Sequence, residues 1–190
     1  MSKPCGDGVM ETHLTLQLEE GGLIPTSPLQ FQFEVISAKA ACELNAKWHS
    51  RFPDIHWSNV VRNKYYVCYG AKFEGNYFAV SIWSSPIARK LDASSILELR
   101  RMAINADCPK NTASRMLSWM RKDIQKRFPE IKKLISYQDT EAHSGTIYKA
   151  SGWGLINTMT KQVDWSASGR KRSKPQSPAP KVRWEYNLDT

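Results

Sequence analysis

The fold of this chain is decided by residues 98–153, which read ELRRMAINADCPKNTASRMLSWMRKDIQKRFPEIKKLISYQDTEAHSGTIYKASGW. This stretch predicts, in order, a strand, a turn, an amphipathic helix, a strand, a polar loop and a short helix. Such an order is typical of a βαβ unit. We expect a cleft where the first strand meets its helix, with the polar residues most suited to chemistry on either side of it.

The helix of this unit has the clearest pattern. It is predicted from about Thr112 to Arg127, after a strand over 95–104 and a turn over 105–110, and Phe128-Pro129 ends it. Its apolar residues recur at helical spacing and form one stripe: Ala113, Met116, Leu117, Met120 and Ile124. Basic residues lie largely off this stripe, so one face is expected in the core and the other in solvent.

Outside this unit, alternating apolar residues predict further strands and a hairpin. Strands are expected over 31–36, 65–73, 76–83 and 155–160, with a helix capped by Ser37 over 37–50. THLTLQL (12–18) also alternates, and VRWEYNL (182–188) is compatible with a strand that docks back onto the sheet. The fold class is therefore α+β, a mixed central sheet with helices on both faces.

Three segments follow from changes in composition. Residues 1–29 are expected to be an N-terminal arm or an added strand, and residues 30–165 the main folded domain, which carries the candidate sites described below. Residues 166–190 form a Ser/Pro-rich extension that contains five basic and no acidic residues between positions 166 and 181: Arg170, Lys171, Arg172, Lys174 and Lys181.

Charge limits the range of partners. The 190-residue chain has a net charge of +9 and a pI of about 9.4. Such a balance favours a nucleic-acid or other anionic partner, although a merely solvated basic surface remains an alternative. The four cysteines form no CxxC pair, which predicts reduced thiols in a cytoplasmic protein. No apolar run reaches the roughly 18 residues of a membrane span, so no membrane partner is expected.

The start of the predicted helix is the first candidate site. Lys110, Asn111, Thr112 and Ser114 cluster there, and Arg100 and Arg101 lie on the incoming strand. Unpaired N–H groups and the helix dipole can hold a phosphate at such a position. Ordinary capping by Asn111 or Thr112 is the alternative explanation.

A second candidate begins at the end of the strand over 133–137. Asp139 follows that strand and could accept a proton, with His143 and Tyr148 nearby along the chain. The alternative is that Asp139 caps the short helix and Tyr148 packs in the core. His49 and Tyr66 are further candidates, and a set drawn from His49, Tyr66, Asp139 and Tyr148 is compatible with iron.

Several segments together resemble one family. They are Asn45-Ala-Lys-Trp-His-Ser-Arg-Phe-Pro53, Glu98-Leu-Arg-Arg101, Pro109-Lys-Asn-Thr-Ala-Ser114, Ser136-Tyr-Gln-Asp139 and His143-Ser-Gly-Thr-Ile-Tyr-Lys-Ala150. In this order they resemble the phage Mom-type DNA modification proteins, a divergent branch of the GNAT N-acetyltransferase fold. The resemblance covers about residues 31–160.

The resemblance implies an activity. The family modifies the N6 amine of adenine in phage DNA with a carbamoylmethyl-type mark, which blocks host restriction enzymes. It implies double-stranded DNA and an acyl-donor small molecule as partners, action in the host cytoplasm, and extrusion of the base from the duplex. A homodimer is left open.

The resemblance also implies residue roles. Arg101, Lys110, Asn111, Thr112 and Ser114 would hold acetyl-coenzyme A or another acyl donor, and Asp139 would act near the amine. His49, Tyr66 and Tyr148 would line the site, with iron as an option through His49, Tyr66 and Asp139. The basic arm would contact DNA phosphates through Arg170, Lys171, Arg172 and Lys174.

The chain departs from the GNAT pattern at the donor loop. Its sequence, Asp107-Cys-Pro-Lys-Asn-Thr-Ala-Ser114, contains none of the glycines that let the usual loop approach a pyrophosphate. A different donor pose, or a different donor, is therefore open. Two other functions also remain open: a conventional N-acyltransferase acting on a small molecule or protein, and a non-catalytic DNA-binding protein.

Overall fold

A computed structural model describes residues 23–142, 144–159 and 181–189. A 3-10 turn, Pro28–Gln30, comes first in this part of the chain. The strands and α-helices then follow in this order: β1 (Gln32–Val35), α1 (Ala38–Trp48), α2 (Trp57–Val61), β2 (Tyr66–Phe73), β3 (Asn76–Ser84), β4 (Ile96–Ile104), α3 (Thr112–Arg127), β5 (Lys133–Asp139), α4 (Thr146–Ala150), β6 (Gly154–Met159) and β7 (Lys181–Asn187).

Local sequence signals account for several of these boundaries. The Ser37 hydroxyl accepts a hydrogen bond from the Ala40 N–H at 3.2 Å and so caps α1 as predicted. Between β2 and β3, Glu74 and Gly75 both have positive φ, 44° and 81°. Two such residues suit a tight hairpin turn, which confirms the predicted hairpin. The short helix α2 was not predicted, because five residues carry too little periodicity to identify one.

The strands form one seven-stranded sheet in the order β1-β2-β3-β4-β5-β7-β6. β4 and β5 are parallel, and every other neighbouring pair is antiparallel. The parallel pair is connected through α3, as a βαβ unit requires. The predicted α+β class with a mixed sheet is thus confirmed.

Helices cover both faces of the sheet. On the face that we call the α1 face, Ala41, Leu44 and Val60 pack with sheet residues that include Val80 and Ile82. On the opposite face, here the α3 face, the apolar stripe of α3 packs against residues that include Trp83, Leu97 and Leu99. All five predicted stripe residues are buried. Ile82 and Trp83 lie in different clusters because successive residues of a strand point to opposite faces.

The C-terminal strand lies inside the sheet. β7 pairs with β5 on one side and with β6 on the other, and Val182, Trp184 and Leu188 are buried. This defines the docking site of VRWEYNL, which the sequence left open, and shows that the last part of the predicted extension belongs to the sheet. The division into segments at 29 and 165 stays a prediction. The expected strand over 12–18 lies outside the described residues, and none of the described helices is long and apolar enough to cross a bilayer.

Candidate functional site

The two parallel strands separate towards their carboxyl ends. Pairing between β4 and β5 runs from Ile96↔Lys133 to Leu99↔Ser136, whereas β4 continues to Ile104 and β5 to Asp139. Beyond Leu99 and Ser136, the facing edges of these two strands share no ladder pairs. The resulting cleft lies where the predicted strand meets its helix.

A β-bulge on β4 borders this cleft. Ile82 pairs with Arg101 and Trp83 with Leu99, so Arg100 is an extra residue between them. Bulges redirect the side chains around them. Here Arg100 lies beside the buried Glu98, with its Nε 3.5 Å from a carboxylate oxygen, and donates to the Ser84 hydroxyl at 3.2 Å. Burial, the largest effect, raises the pKa of Glu98.

Asp139 lies at the other edge of the cleft. Its side chain is 8% exposed, and one carboxylate oxygen is 2.7 Å from Nη1 of Arg51. The other oxygen accepts a hydrogen bond from the Glu141 N–H at 3.0 Å. Asp139 does not cap α4, whose N-cap is Gly145. The carboxylate is instead oriented by a cation from the turn that follows α1.

That turn is anchored by Asn45. The fully buried Asn45 amide donates to the carbonyls of Phe52 and Pro53, at 3.1 and 2.9 Å. His49, the C-cap of α1, accepts from the Phe52 N–H through Nδ1 at 3.2 Å. Since Nδ1 acts as an acceptor, a proton on the ring belongs on Nε2. The structure therefore connects His49 and Asp139 to the same turn, His49 through the Phe52 N–H and Asp139 through Arg51.

Two further cations lie near the Phe52 ring. The Arg101 guanidinium carbon lies 5.2 Å from the centre of the Phe52 ring, and the Lys181 ammonium lies 6.0 Å from it. Lys181 is also the β7 partner of Asp139. We call Arg51, Phe52, Arg101 and Lys181 the Phe52 cluster. It lies on the α1 face, because Arg101 pairs with Ile82, whose side chain is in the core of that face.

Tyr148 lies on the opposite face. It is 7% exposed and packs among the α3-face core, with its ring stacked on Trp184 at 5.3 Å. Its hydroxyl is 2.9 Å from that of Ser136, the last β5 residue that pairs with β4. Burial raises the pKa of Tyr148, which keeps the phenol protonated. Tyr148 thus faces the base of the cleft from the side away from Asp139.

Tyr66 is not brought to this cleft. It pairs with Ser84, which pairs with Glu98, so Tyr66 lies three strands from β5. Asp139 lies four residues beyond Ile135, the partner of Glu98. Strand spacing and rise then place the Tyr66 and Asp139 backbones about 14 Å apart across the sheet and about 13 Å apart along it. This separation argues against a shared role for Tyr66 and Asp139 in one site.

The distance between Tyr66 and Asp139 also bears on the expected iron site. A metal held jointly by His49, Tyr66 and Asp139 would need all three side chains around one point. Within residues 23–142, 144–159 and 181–189, no group of three or more His, Cys, Asp or Glu side chains is arranged to hold a metal ion. The described part of the chain therefore does not support the expected iron site.

At the start of α3, the glycine-free loop adopts a left-handed backbone turn that a glycine would usually provide. Asn111 adopts φ 69°, ψ 4°, a left-handed conformation that asparagine tolerates. Its side chain does not cap the helix. The Thr112 hydroxyl donates to the Pro109 carbonyl at 2.8 Å, and the Ser114 hydroxyl to the Asn111 carbonyl at 3.1 Å. The exposed Lys110 precedes this turn, and the free N–H groups of the first helical turn remain suited to an anion.

The candidate donor residues do not all lie together. Arg101 contacts Phe52 on the α1 face, whereas α3 packs on the other face. His143 and the four candidate DNA contacts of the arm, Arg170, Lys171, Arg172 and Lys174, lie outside the described residues, and their roles stay predictions.

The decisive comparison is with a family model, that of the Mom protein family, which matches residues 30–181. The chain belongs to the Mom protein family. The match covers the whole cleft and ends at Lys181. A comparison with curated proteins finds no match.

Solved structures show which fold this Mom family member adopts. The ribosomal-protein-S18-alanine N-acetyltransferase from Escherichia coli matches with a TM-score of 0.58 at 11% identity, over 83% of this chain and 94% of that one. A spermidine/spermine N-acetyltransferase from Vibrio cholerae gives 0.59 at 8%, over 85% and 95%. A putative acetyltransferase from Salmonella typhimurium, solved with acetyl-CoA, gives 0.58 at 14%, over 84% and 95%. The fold of this Mom family member is therefore GNAT-like, as predicted.

Sequence reasoning missed the role of three residues of the site: Arg51, Phe52 and Lys181. The first two lie in the Asn45–Pro53 segment that marks the family, but no local pattern indicates that Arg51 pairs with a residue 88 positions away. Lys181 was counted with the basic extension, whereas it is the first residue of β7. The position of β7 in the sheet was the missing information.

Proposed function

We propose that this protein is a phage DNA-modification enzyme that modifies the N6 amine of adenine and so protects phage DNA from host restriction in the host cytoplasm. The observation that carries the proposal is the family match over residues 30–181. It coincides with a GNAT-like cleft that is bordered by a buried carboxylate. At the coarser level, family and fold together support a group-transfer reaction.

Asp139 is the group best placed to act on the amine. The lone pair of adenine N6 is delocalised into the ring, so the amine must be positioned and must lose a proton as its new bond forms. Asp139 is 8% exposed and held at 2.7 Å by Arg51. An oriented carboxylate can accept a hydrogen bond from the amine and then its proton. His49 supports the same turn through the Phe52 N–H.

An acyl donor fits the opposite side of the cleft. The unpaired edges of β4 and β5 offer N–H and C=O groups to an extended donor chain, and the start of α3 offers N–H groups and Lys110 to its phosphates. Bound there, the donor would supply the activated carbon. Tyr148, protonated and near the base of the cleft, could hydrogen-bond the donor or its leaving group. A carbamoylmethyl mark joins N6 to a methylene carbon, whereas transfer of an acetyl group from acetyl-coenzyme A to N6 would expel the thiol and give an amide. The mark therefore requires either a further step after acyl transfer or a different activated donor.

The substrate side would meet duplex DNA. An adenine must leave the base stack to reach a carboxylate that is mostly buried. The basic arm, which carries Arg170, Lys171, Arg172 and Lys174, would hold the flanking phosphates. The GNAT-like neighbours favour one alternative, a conventional N-acyltransferase acting on a small molecule or protein, since one neighbour is a ribosomal-protein-S18-alanine N-acetyltransferase and another a spermidine/spermine N-acetyltransferase.

The test is to express the chain, digest plasmid DNA to nucleosides and search for a heavier adenine by mass spectrometry. Wild-type protein is expected to produce modified adenine, whereas Asp139→Asn, which keeps the shape and loses the negative charge, is expected to fold and leave adenine unmodified. Lys39→Gln, an exposed change in the first turn of α1, serves as the control. Unmodified DNA with the wild-type protein would count against this function, and normal modification by Asp139→Asn would remove that residue from the mechanism.

A further inference from the structure

The Phe52 cluster brings positive charges together without matching negative ones. It contains three cationic side chains and contacts one carboxylate, that of Asp139, which pairs with Arg51. Among the described residues, no carboxylate lies within ion-pair distance of Arg101 or Lys181. Glu98 is on the same face and attracts both Arg101 and Lys181 at longer range, but the groups in contact with its carboxylate are Arg100 and the Ile87 N–H. The cluster therefore has an excess of two positive charges beside a partly buried cleft.

Arg101 also has an unused donor. Its Nη1 donates to the Arg100 carbonyl at 2.6 Å, but its buried Nε has no hydrogen-bond partner within the described part of the chain. Burial is the main effect that lowers the pKa of Arg101. A buried guanidinium N–H without an acceptor is costly, so the arrangement favours a ligand that brings an anionic oxygen.

The surroundings restrict what this ligand is. The Phe52 ring forms an apolar wall beside both cations, whose charged groups lie 5.2 and 6.0 Å from its centre. Asn45 holds the turn that carries this ring in place by two hydrogen bonds. A tetrahedral anion presents several oxygens and can accept hydrogen bonds from a guanidinium and an ammonium group at once. Guanidinium and ammonium groups together are typical of phosphate sites.

The geometry points to a phosphate-binding subsite on the α1 face, formed by Arg101 and Lys181 against Phe52. The phosphate has two chemical sources, and the choice between them rests on the proposed function. One is a phosphodiester next to the adenine that enters the cleft, which would fix that nucleotide with its amine towards Asp139. The other is a phosphate of a coenzyme A-type donor. The subsite is separate from the start of α3, which packs on the other face of the sheet.

The experiment compares the full-length wild type with Lys181→Gln and with the Arg101→Gln/Lys181→Gln double variant. Two ligands are titrated separately: a short DNA duplex with one mismatched adenine, and coenzyme A. Lys39→Gln is the control, since it removes one exposed charge from the first turn of α1, about 9 Å along the helix from Asn45, the residue whose amide holds the Phe52 carbonyl. Melting temperatures and circular dichroism establish that each variant is folded, and Lys181→Gln alone decides the matter if the double variant is not.

We expect the double variant to lose about 10-fold to 100-fold in affinity for one of the two ligands, as for the loss of hydrogen bonds to a charged group. If that ligand is the duplex, the plot of log affinity against log salt concentration becomes shallower by about 1, the value for one phosphate contact. A loss of affinity for the duplex assigns the subsite to DNA, and a loss of affinity for coenzyme A assigns it to the donor. Either result supports a phosphate-binding subsite.

Two results would overturn the proposed phosphate-binding subsite. One is a folded variant that binds both ligands as tightly as Lys39→Gln does, and the other is a wild type that binds neither. Failure of the proposed function is recognised separately. If wild-type protein leaves adenine unmodified in cells but the variants still lose affinity for a phosphate ligand, the subsite stands and the DNA-modifying activity does not.

Discussion

Replacing Arg51 by glutamine is expected to weaken the connection between the turn after α1 and the end of β5. The Arg51–Asp139 pair spans 2.7 Å, with the two side chains 38% and 8% exposed. Breaking a fully buried pair costs about 3–5 kcal/mol. Because Arg51 is more than one-third exposed, solvent screening reduces this to about 1–2 kcal/mol of unfolding free energy. For a chain of this size, that corresponds to a melting temperature lower by roughly 3–6 °C.

A double-mutant cycle measures this interaction directly. Arg51→Gln, Asp139→Asn and the double variant are unfolded in urea, and the coupling energy is the part of the double effect that the single effects do not explain. The matched control is Lys132–Asp189, an ion pair at 3.1 Å whose side chains are 54% and 61% exposed. We expect a coupling of about 1 kcal/mol or more for the first pair and under about 0.5 kcal/mol for the control.

Equal coupling in the two cycles would refute this reasoning. It would mean that burial of Asp139 adds nothing to its attraction for Arg51, and that the carboxylate is not held by the turn. The turn itself would then need another link to β5, and the proposed orientation of Asp139 towards an amine would lose its structural basis.

Three further results are expected. Burial raises the pKa of Glu98 above its usual 4.5, so the folded wild type binds a proton at Glu98 more strongly than the unfolded chain does. The wild type therefore loses stability as the pH rises through the pKa of Glu98 in the folded state. The Glu98→Gln variant has no group that titrates at this position and does not lose stability in this way. Urea midpoints should therefore favour Glu98→Gln increasingly from pH 4 to pH 7, and a gain by the wild type would contradict this. Gly145→Ala should destabilise by about 2–4 kcal/mol in thermal unfolding, because φ is +75° and the new Cβ would lie 2.6 Å from Gln138 Oε1. The control Gly75→Ala, at φ +81° with nothing within 4 Å of the new Cβ, should lower the free energy of unfolding by only about 1–2 kcal/mol. Equal losses of stability in the two variants would show that the contact with Gln138 is unimportant. Deleting the basic arm together with all that follows would remove β7, so its charges should instead be neutralised. The slope of log affinity for DNA against log salt should then fall by up to about 3.6, and an unchanged slope would exclude phosphate contacts by these residues: Arg170, Lys171, Arg172 and Lys174.

Much of the fold could be predicted because it is recorded in local periodicity. The stripe of α3, the cap at Ser37 and the Glu74-Gly75 hairpin each depend on residues a few positions apart, and each was confirmed. Local signals also located the start of α3 and the end of β5, which border the cleft. The left-handed Asn111 shows where such signals are insufficient, since a missing glycine was compensated by a residue that tolerates the same backbone.

The chain's sequence by itself determined the strands, the longer helices, the basic character and the family segments, because these depend on neighbouring residues and on composition. Only the tertiary structure decided that β7 lies between β5 and β6, that Arg51 reaches Asp139, and that Tyr66 and Tyr148 lie away from that pair. The physical reason is that strand order and side-chain pairing come from contacts between distant segments. Those contacts compete in the folding of the whole chain and leave no periodic trace in any one segment.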